Sequence, residues 1–226
     1  MTNPRRLPSS RSAASRPRRR PADLLVAAAL ACGLALPGLP TSPARADAPA
    51  LMDTWRGPGS ARPEFKKVLV VGITRNAPAR RRFEDLFVSI LRGRESQAIT
   101  SYSLAPDLDN IPDPEKVVET LFAGQVDGVI TVRLVSLDGR DEAQWGEAWR
   151  KELDEPVRIR PYVTDSLRRL APDADLHGAE FALWDVQTGE RLWAGRSGPV
   201  KVKKLKKSAT DLVQDVMTEL RFRALL

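Results

Sequence analysis

A buried strand followed at once by an amphipathic helix is the feature that most constrains the fold of this chain. Residues 66–74, KKVLVVGIT, hold a nearly continuous apolar and β-branched run from Val68 to Ile73. Such a run favours a strand covered on both faces, as in α/β sheets. The helix that follows has an apolar stripe of Phe83, Leu86, Phe87, Ile90 and Leu91. Its opposite face, predicted to meet solvent, carries Arg80, Arg81, Glu84, Asp85 and Arg92.

The next segments repeat the alternation of strand and helix. Residues 98–103 predict a short second strand, and residues 126–137 predict a third. Between them, Asp113 is a suitable N-cap and Pro114 suits the first position of a helix. The order is therefore β-α-β-α-β, with connections long enough for parallel pairing.

The last third of the chain predicts a hairpin and a closing helix. Residues 179–197 alternate as two strand arms, with Gly189 at the left-handed position of the turn. A final helix is predicted to begin at Ser208 or Thr210. Residues 138–178 are the least regular part and are predicted to form an insertion, in which residues 142–153 predict a short helix and residues 164–170 predict a further helical turn. The fold class is α/β, with one domain and a mixed sheet.

The first 46 residues have the parts of a secretory signal peptide. An arginine-rich stretch precedes the apolar residues 24–36, and Ala44-Arg45-Ala46 offers a cleavage site. Residues 47–64 are rich in Pro, Gly and Ala and predict a flexible tether. The α/β domain is predicted over residues 65–226, with a periplasmic location.

Cys32, the only cysteine, leaves a second interpretation of the leader open. The sequence ALACG at residues 29–33 resembles a lipobox, in which Cys32 is lipidated. The apolar run before it is short, and Asp23 precedes that run. Ordinary cleavage is the favoured interpretation, and an outer-membrane lipoprotein is the alternative. Association with the membrane is expected only if Cys32 is lipidated.

The positive charge of the chain does not predict nucleic-acid binding. The sequence has 36 Lys and Arg against 29 Asp and Glu. Without the eight arginines and one aspartate of residues 1–46, 28 basic and 28 acidic residues are left. The domain is close to neutral, so a uniformly basic nucleic-acid footprint is absent.

No catalytic or metal-binding motif stands out. Gly72 lies in a strand-to-helix turn that lacks the further glycines and the lysine of a phosphate-binding loop. His177, the single histidine, is predicted in a surface loop. The acids Asp107, Asp109 and Asp113 predict a solvated loop with one helix cap rather than a calcium site. We predict no metal, no cofactor and no enzyme. A hydrolase using carboxylates such as Glu84 or Asp113 is the least favoured alternative.

Two sets of residues are candidates for an interaction surface. Trp145 and Trp149 lie one helical turn apart in the insertion, whereas Trp184 and Trp193 are predicted to be core residues. The lysines of residues 201–207, together with Arg80, Arg81 and Arg82, are predicted to face either solvent at a sheet edge or an anionic lipid or glycan.

Five stretches of the chain resemble a group of bacterial envelope proteins. They are KKVLVVGIT, RRRFEDLFVSIL, ITSYSL, VDGVITVRLVSL and FALWDVQTGERLWAG. The pattern is similar to the fold of the amino-terminal domain of TolB, the penicillin-binding-protein activator lipoproteins and CsgG-like secretion lipoproteins. The resemblance implies an α/β fold and an envelope location, and it assigns no functional residue.

These observations predict an exported, non-catalytic accessory factor of outer-membrane or cell-wall assembly, whose partner is another envelope protein. The alternative is a periplasmic module that binds a small ligand or a glycan through loops at the carboxyl ends of the parallel strands. The sequence does not specify the oligomeric state.

Overall fold

The computed structural model describes residues 50–58, 64–92, 97–106, 113–172 and 174–226. The predicted signal peptide, with Cys32, lies outside the described residues. Among the helices of the described part, none is both long enough and apolar enough to cross a membrane.

Seven strands and six helices are found in the described residues. The strands are β1 (Leu51–Arg56), β2 (Lys67–Ile73), β3 (Gln97–Thr100), β4 (Gly128–Ser136), β5 (Leu176–Asp185), β6 (Arg191–Ser197) and β7 (Val200–Lys201). The helices are α1 (Ala77–Leu91), α2 (Ser101–Leu104), α3 (Pro114–Phe122), α4 (Glu142–Asp154), α5 (Ile159–Arg168) and α6 (Val202–Phe222).

All seven strands belong to one mixed sheet, in the order β1-β6-β5-β4-β2-β3, with β7 paired to β5. Strand β2 pairs in parallel with both β3 and β4. Strands β5, β6 and β1 continue the sheet with antiparallel pairing. The α/β class, the β-α-β-α-β core and the hairpin of β5 and β6 are thereby confirmed. Gly189 has the predicted positive φ, at 74°.

Helices cover both faces of the sheet and bury a separate apolar core on each. On one face, α1 and α6 pack against β2 and β4 through residues that include Phe83, Phe87, Leu212 and Val216. On the other face, α3, α4 and α5 contribute Leu121, Trp149 and Val163. Successive residues of β2 alternate between the two cores, which explains its continuous apolar run.

Helix α1 begins as the sequence predicts but buries more than its apolar stripe. The Asn76 side chain accepts a hydrogen bond from the backbone N–H of Ala79, and Pro78 lies in the first turn. The prediction that Arg80 and Glu84 face solvent is wrong, because both are fully buried, at 0% exposure. The Glu84 side chain faces the end of β2, where the buried backbone N–H of Gly72 needs an acceptor, and Arg80 lies beside it.

The predicted tether is wrong for residues 51–56, which form the edge strand β1 on β6. A bulge between Leu51 and Asp53 shifts the register of this strand. Leu51 therefore packs against one core, and Trp55 packs against the other.

Three further segments differ from the sequence prediction. The insertion at residues 138–178 is more regular than predicted: α4 confirms the helix over residues 142–153, and α5 begins five residues before the helical turn predicted at residue 164. The strand predicted over residues 98–103 ends at Thr100, where α2 begins. Of the lysine run predicted as an edge strand, Lys201 lies in strand β7 and the remainder forms the first turns of α6, because Leu205 and Ala209 extend the apolar stripe of that helix.

Candidate functional site

A row of alternating charges crosses four strands of the sheet, on the face covered by α4. Arg133 of β4 lies opposite Glu180 of β5, Glu180 lies opposite Arg196 of β6, and Arg196 lies opposite Asp53 of β1. Directly opposed residues in antiparallel pairs share a face, so each charge meets its opposite. The Arg196 Nε donates to Asp53 Oδ2 at 2.6 Å. The row therefore replaces apolar core at one end of the sheet by paired charges.

Two carboxylates converge on the guanidinium of Arg133. Its Nε donates to Glu180 Oε2 at 2.8 Å, and its Nη2 donates to Glu152 Oε2 of α4 at 2.6 Å. Burial alone would lower the pKa of Arg133, but the negative charges of Tyr162 in its ionised form and of the Glu180 and Glu152 carboxylates outweigh burial, and the net pKa is raised. Arg133 is thus a permanent cation fixed between two anions.

Trp145 attaches α4 to this row, Trp149 packs in the apolar core beside it, and neither forms an exposed surface. Their exposures are 2% and 5%, so the prediction of an interaction surface at these residues is wrong. The Trp145 Nε1 donates to Glu180 Oε1 at 2.8 Å, and the Arg196 guanidinium lies 4.8 Å from the centre of its ring. The two tryptophans face the sheet because α4 needs an apolar side there.

The open side of the charge network lies in a groove between α4 and α5. Two cavities, of about 310 and 390 Å³, share the side chains of Arg133 and Glu152 in their walls. We call their combined lining the α4–α5 groove. Its charged residues are Arg133, Arg140, Lys151, Glu152, Glu155, Asp165, Arg169 and Glu180. Four are basic and four are acidic, so the groove is polar but balanced in charge.

Tyr162 of α5 forms part of the groove wall. Its ring packs against Trp184 with centroids 4.7 Å apart, and the Arg133 guanidinium lies 5.5 Å from its centroid. Burial raises the pKa of Tyr162 to about 12, an effect that the charge of Arg133 partly opposes. The phenol is therefore neutral across the physiological range and can act as a hydrogen-bond donor or acceptor.

The groove begins where ligands of open α/β sheets usually bind. Ile73 ends β2, and Arg133, Leu134 and Val135 lie near the end of β4. The chain leaves β2 for β3 on one side and returns to β4 on the other, which makes the β2–β4 boundary a topological switch point. Crevices outside the carboxyl ends of strands at such points are the common ligand sites of this architecture.

A second carboxylate network, around Glu84, is closed to solvent. Glu84 Oε1 accepts from Gly72 N at 2.8 Å and from Ser101 Oγ at 2.6 Å. Its Oε2 accepts from the backbone N–H of Ser101 at 2.8 Å and of Tyr102 at 3.3 Å. Burial raises the pKa of Glu84, while these hydrogen bonds and the charge of Arg80 oppose that rise.

The Glu84 network accounts for the glycine at position 72. A Cβ there would lie 2.6 Å from the Arg80 Cγ and 3.1 Å from the Glu84 Oε1. Gly72 is thus required by the close approach of α1, and its N–H is occupied by a side chain of the protein. The network joins β2, α1 and α2, and the Glu84 side chain has no exposed surface.

The structure gives His177 and Asp113, two other residues singled out from the sequence, a role in the fold. His177 is not in a surface loop: it lies in β5, pairs with Val200 and is 8% exposed. Asp113 caps α3 by accepting from the backbone N–H of Lys116, as predicted. Asp107 and Asp109 lie outside the described residues. Within the described ranges, no cluster of three or more His, Cys, Asp or Glu residues could hold a metal ion.

Sequence reasoning missed Arg133, Glu152 and Glu180, although a signal for two of them was present. Arg133 and Glu180 occupy positions two residues from the buried Thr131 and Ala182, so each continues a buried face of its strand. A charge at such a position predicts a buried partner. The partner itself depends on strand register and on the placement of α4, which no local pattern specifies.

Comparison with known proteins identifies no family for this chain. No family model matches it, and no curated protein matches it. Among solved structures, it is similar to the PelC dodecamer from Paraburkholderia phytofirmans in space group P6, with 18% identity and a TM-score of 0.38 over 74% of this chain and 94% of that one. A point variant of the same dodecamer in space group C2 gives 16% identity, a TM-score of 0.38, and coverage of 74% and 96%. We draw no functional argument from similarity at this level. The resemblance to the amino-terminal domain of TolB, to the penicillin-binding-protein activator lipoproteins and to the CsgG-like lipoproteins stays a prediction.

Proposed function

We propose that this chain is an exported accessory protein of the cell envelope that binds an uncharged oligosaccharide, without catalysis, in the α4–α5 groove. The observation that carries the proposal is the charge balance of the groove, in which Arg133 is already neutralised by Glu152 and Glu180. The envelope location is supported by the predicted signal peptide.

A groove of paired charges suits hydroxyl groups better than ions. A bound anion would have to compete with Glu152 and Glu180 for Arg133, and a bound cation would have to compete with Arg133 itself. A hydroxyl can donate to a carboxylate oxygen and accept from a guanidinium without disturbing the ion pairs. The rim residues Arg140, Lys151 and Arg169 supply further donors, and Tyr162 supplies a neutral phenol.

The same geometry argues against hydrolysis. General acid–base catalysis by two carboxylates needs one protonated and one ionised group with access to the reacting bond. Here Glu152 and Glu180 are both bound to the guanidinium of Arg133, so neither has a free oxygen pair directed at a reacting bond. Glu180 is 6% exposed and also accepts from the Trp145 indole, so it is committed to the fold. Binding is therefore the favoured activity of the groove.

The test is a calorimetric titration of the protein with the neutral hexasaccharides maltohexaose, cellohexaose and chitohexaose. The proposal expects at least one of them to bind, and it expects the variant Arg169→Gln to weaken that binding about tenfold, because one hydrogen bond from a charged donor is lost. Arg168→Gln is the matched control, since Arg168 is the preceding residue, bonds to Glu115 and does not itself line either cavity of the groove.

Two results would contradict the proposal. The first is the absence of heat from all three sugars at millimolar concentration. The second is equal weakening by Arg169→Gln and Arg168→Gln, which would place the binding site elsewhere. Release of shorter sugars during the titration would instead show catalysis.

A further inference from the structure

A third cavity lies between α1 and α6, on the face of the sheet opposite the α4–α5 groove. Its volume is about 510 Å³, within the range of roughly 300–1,000 Å³ that is typical of small-molecule sites. Its apolar lining comes from both helices and consists of Pro78, Ala79, Phe83, Leu205 and Ala209. The polar residues in its wall are Asn76, Arg81, Arg82 and Asp85.

The fold brings two distant basic segments together around this cavity. Arg81 and Arg82 of α1 are exposed and line it directly. The Arg82 Nη2 donates to Thr210 Oγ1 of α6 at 3.0 Å, which fixes the relative position of the two helices at the rim. Lys203 and Lys207 are exposed and lie seven and three residues before Thr210, so they share its side of α6. Arginines and lysines thus lie along one rim of an apolar cavity.

The basic residues near this rim outnumber the acidic ones. Two acids, Asp85 in the cavity wall and Asp211 next to Thr210, stand against four cations, Arg81, Arg82, Lys203 and Lys207. Glu84, the neighbouring acid on α1, is fully buried on the other side of the helix. The amino-terminal turn of α6 adds the positive end of its helix dipole. This contrasts with the balanced charge of the α4–α5 groove.

We infer that the cavity between α1 and α6 is a docking site for the surface of an anionic phospholipid membrane, with part of one acyl chain in the cavity and the headgroup phosphate at the basic rim. Charge complementarity selects this occupant, because apolar surface alone would accept any hydrophobic chain. Lysines and arginines near an anionic bilayer each strengthen binding about fivefold. The contact needs no lipidation of Cys32 and is independent of ligand binding in the α4–α5 groove.

The first test is co-sedimentation of the full chain with vesicles of phosphatidylcholine alone and of an equimolar mixture with phosphatidylglycerol. We expect the double variant Lys203→Gln/Lys207→Gln to bind the mixed vesicles roughly 25-fold more weakly than the unchanged chain. The matched control is Lys66→Gln/Lys116→Gln, which removes two exposed charges from other elements and should change binding less than twofold. Both double variants keep the arginine-rich leader, so its affinity for lipid is common to them.

The second test locates the acyl chain with a phosphatidylglycerol that carries a photoreactive diazirine on that chain. The inference expects crosslinks in the peptides that contain Phe83 and residues 205–209. Inorganic phosphate, which has the headgroup charge without the chain, should not compete.

Three outcomes would overturn the inference. They are equal vesicle binding by the two double variants, crosslinks confined to other segments, and equal crosslinking by the phosphatidylcholine analogue. An effective competition by inorganic phosphate would likewise show that the site takes a free anion and not a membrane.

Discussion

Glu84 of α1 and Glu180 of β5 are both buried between a helix and the sheet, but their surroundings differ. Glu84 accepts three backbone N–H groups and one hydroxyl, and it has no exposed surface. Glu180 accepts from side chains only, and its partner Arg133 is 22% exposed at the floor of a groove. A carboxylate fixed by the backbone holds elements together, whereas one balanced by an accessible guanidinium also shapes a surface where ligands can bind.

Of the substitutions that test this comparison, replacement of Glu84 in the closed network should have the largest effect on the free energy of unfolding. Glu84→Ala should lower the free energy of unfolding by about 3–5 kcal/mol, because buried N–H groups lose their acceptor and the charge of Arg80 loses its counter-charge. Urea unfolding followed by circular dichroism measures this loss. The exposed control Glu119→Ala should stay within about 0.5 kcal/mol of the unchanged chain. A loss below about 1 kcal/mol for Glu84→Ala would show that the network does not stabilise the fold.

A smaller loss is expected at the buried member of the open network. Glu180→Gln should lower the free energy of unfolding by about 3 kcal/mol, because the amide can still accept from Trp145 but no longer balances Arg133 and Arg196. Glu190→Gln, an exposed acid in the β5–β6 turn, is the control in the same unfolding experiment. Equal stability of the two variants would mean that the charge row does not contribute to the fold.

At alkaline pH, the titration of Tyr162 in the groove wall should lower the free energy of unfolding. Because the folded-state pKa of about 12 lies above the ordinary value of 10.0, the folded chain keeps a proton that the unfolded chain releases. The stabilisation from the protonated phenol is complete below pH 10 and is lost as the pH rises towards 12, by up to about 3 kcal/mol. Tyr162→Phe lacks this titration, so its unfolding free energy should fall less steeply over that interval. Parallel profiles for the two proteins would contradict the assignment.

The smallest effect on stability is expected at the rim of the groove. Arg168→Gln and Arg169→Gln remove neighbouring exposed guanidinium groups, and each should change the free energy of unfolding by less than about 0.5 kcal/mol. Thermal unfolding of the two variants checks this. A large loss for Arg169→Gln would mean that weakened sugar binding reflects unfolding and not a missing contact.

The scaffold was predictable because periodicity and caps are local properties. The apolar run of β2, the Asn76-Pro78 start of α1 and the cap at Asp113 each act within a few residues. The hairpin of β5 and β6 follows from alternation and from Gly189. These signals were sufficient for the α/β class and for the β-α-β-α-β core.

The candidate site was not predictable in the same way, since its contacts join distant segments. Arg133 and Glu180 are 47 residues apart, and Arg196 and Asp53 are 143 apart. Trp145 and Trp149 were assigned to a surface because a helix stripe does not reveal which side meets the sheet. The edge strand β1 was missed because its bulge breaks the two-residue alternation that identifies strands.

Hydrogen–deuterium exchange with and without a bound neutral hexasaccharide tests the central claim most directly. The account predicts slower exchange in α4 and α5, residues 142–168, on addition of the sugar, because ligand contacts stabilise the helices that form the groove. Exchange in α1 and α2, around Glu84 and Ser101, should not change. Slower exchange at α1 and α2 with none at α4 and α5 would contradict the assignment of the α4–α5 groove as the binding site.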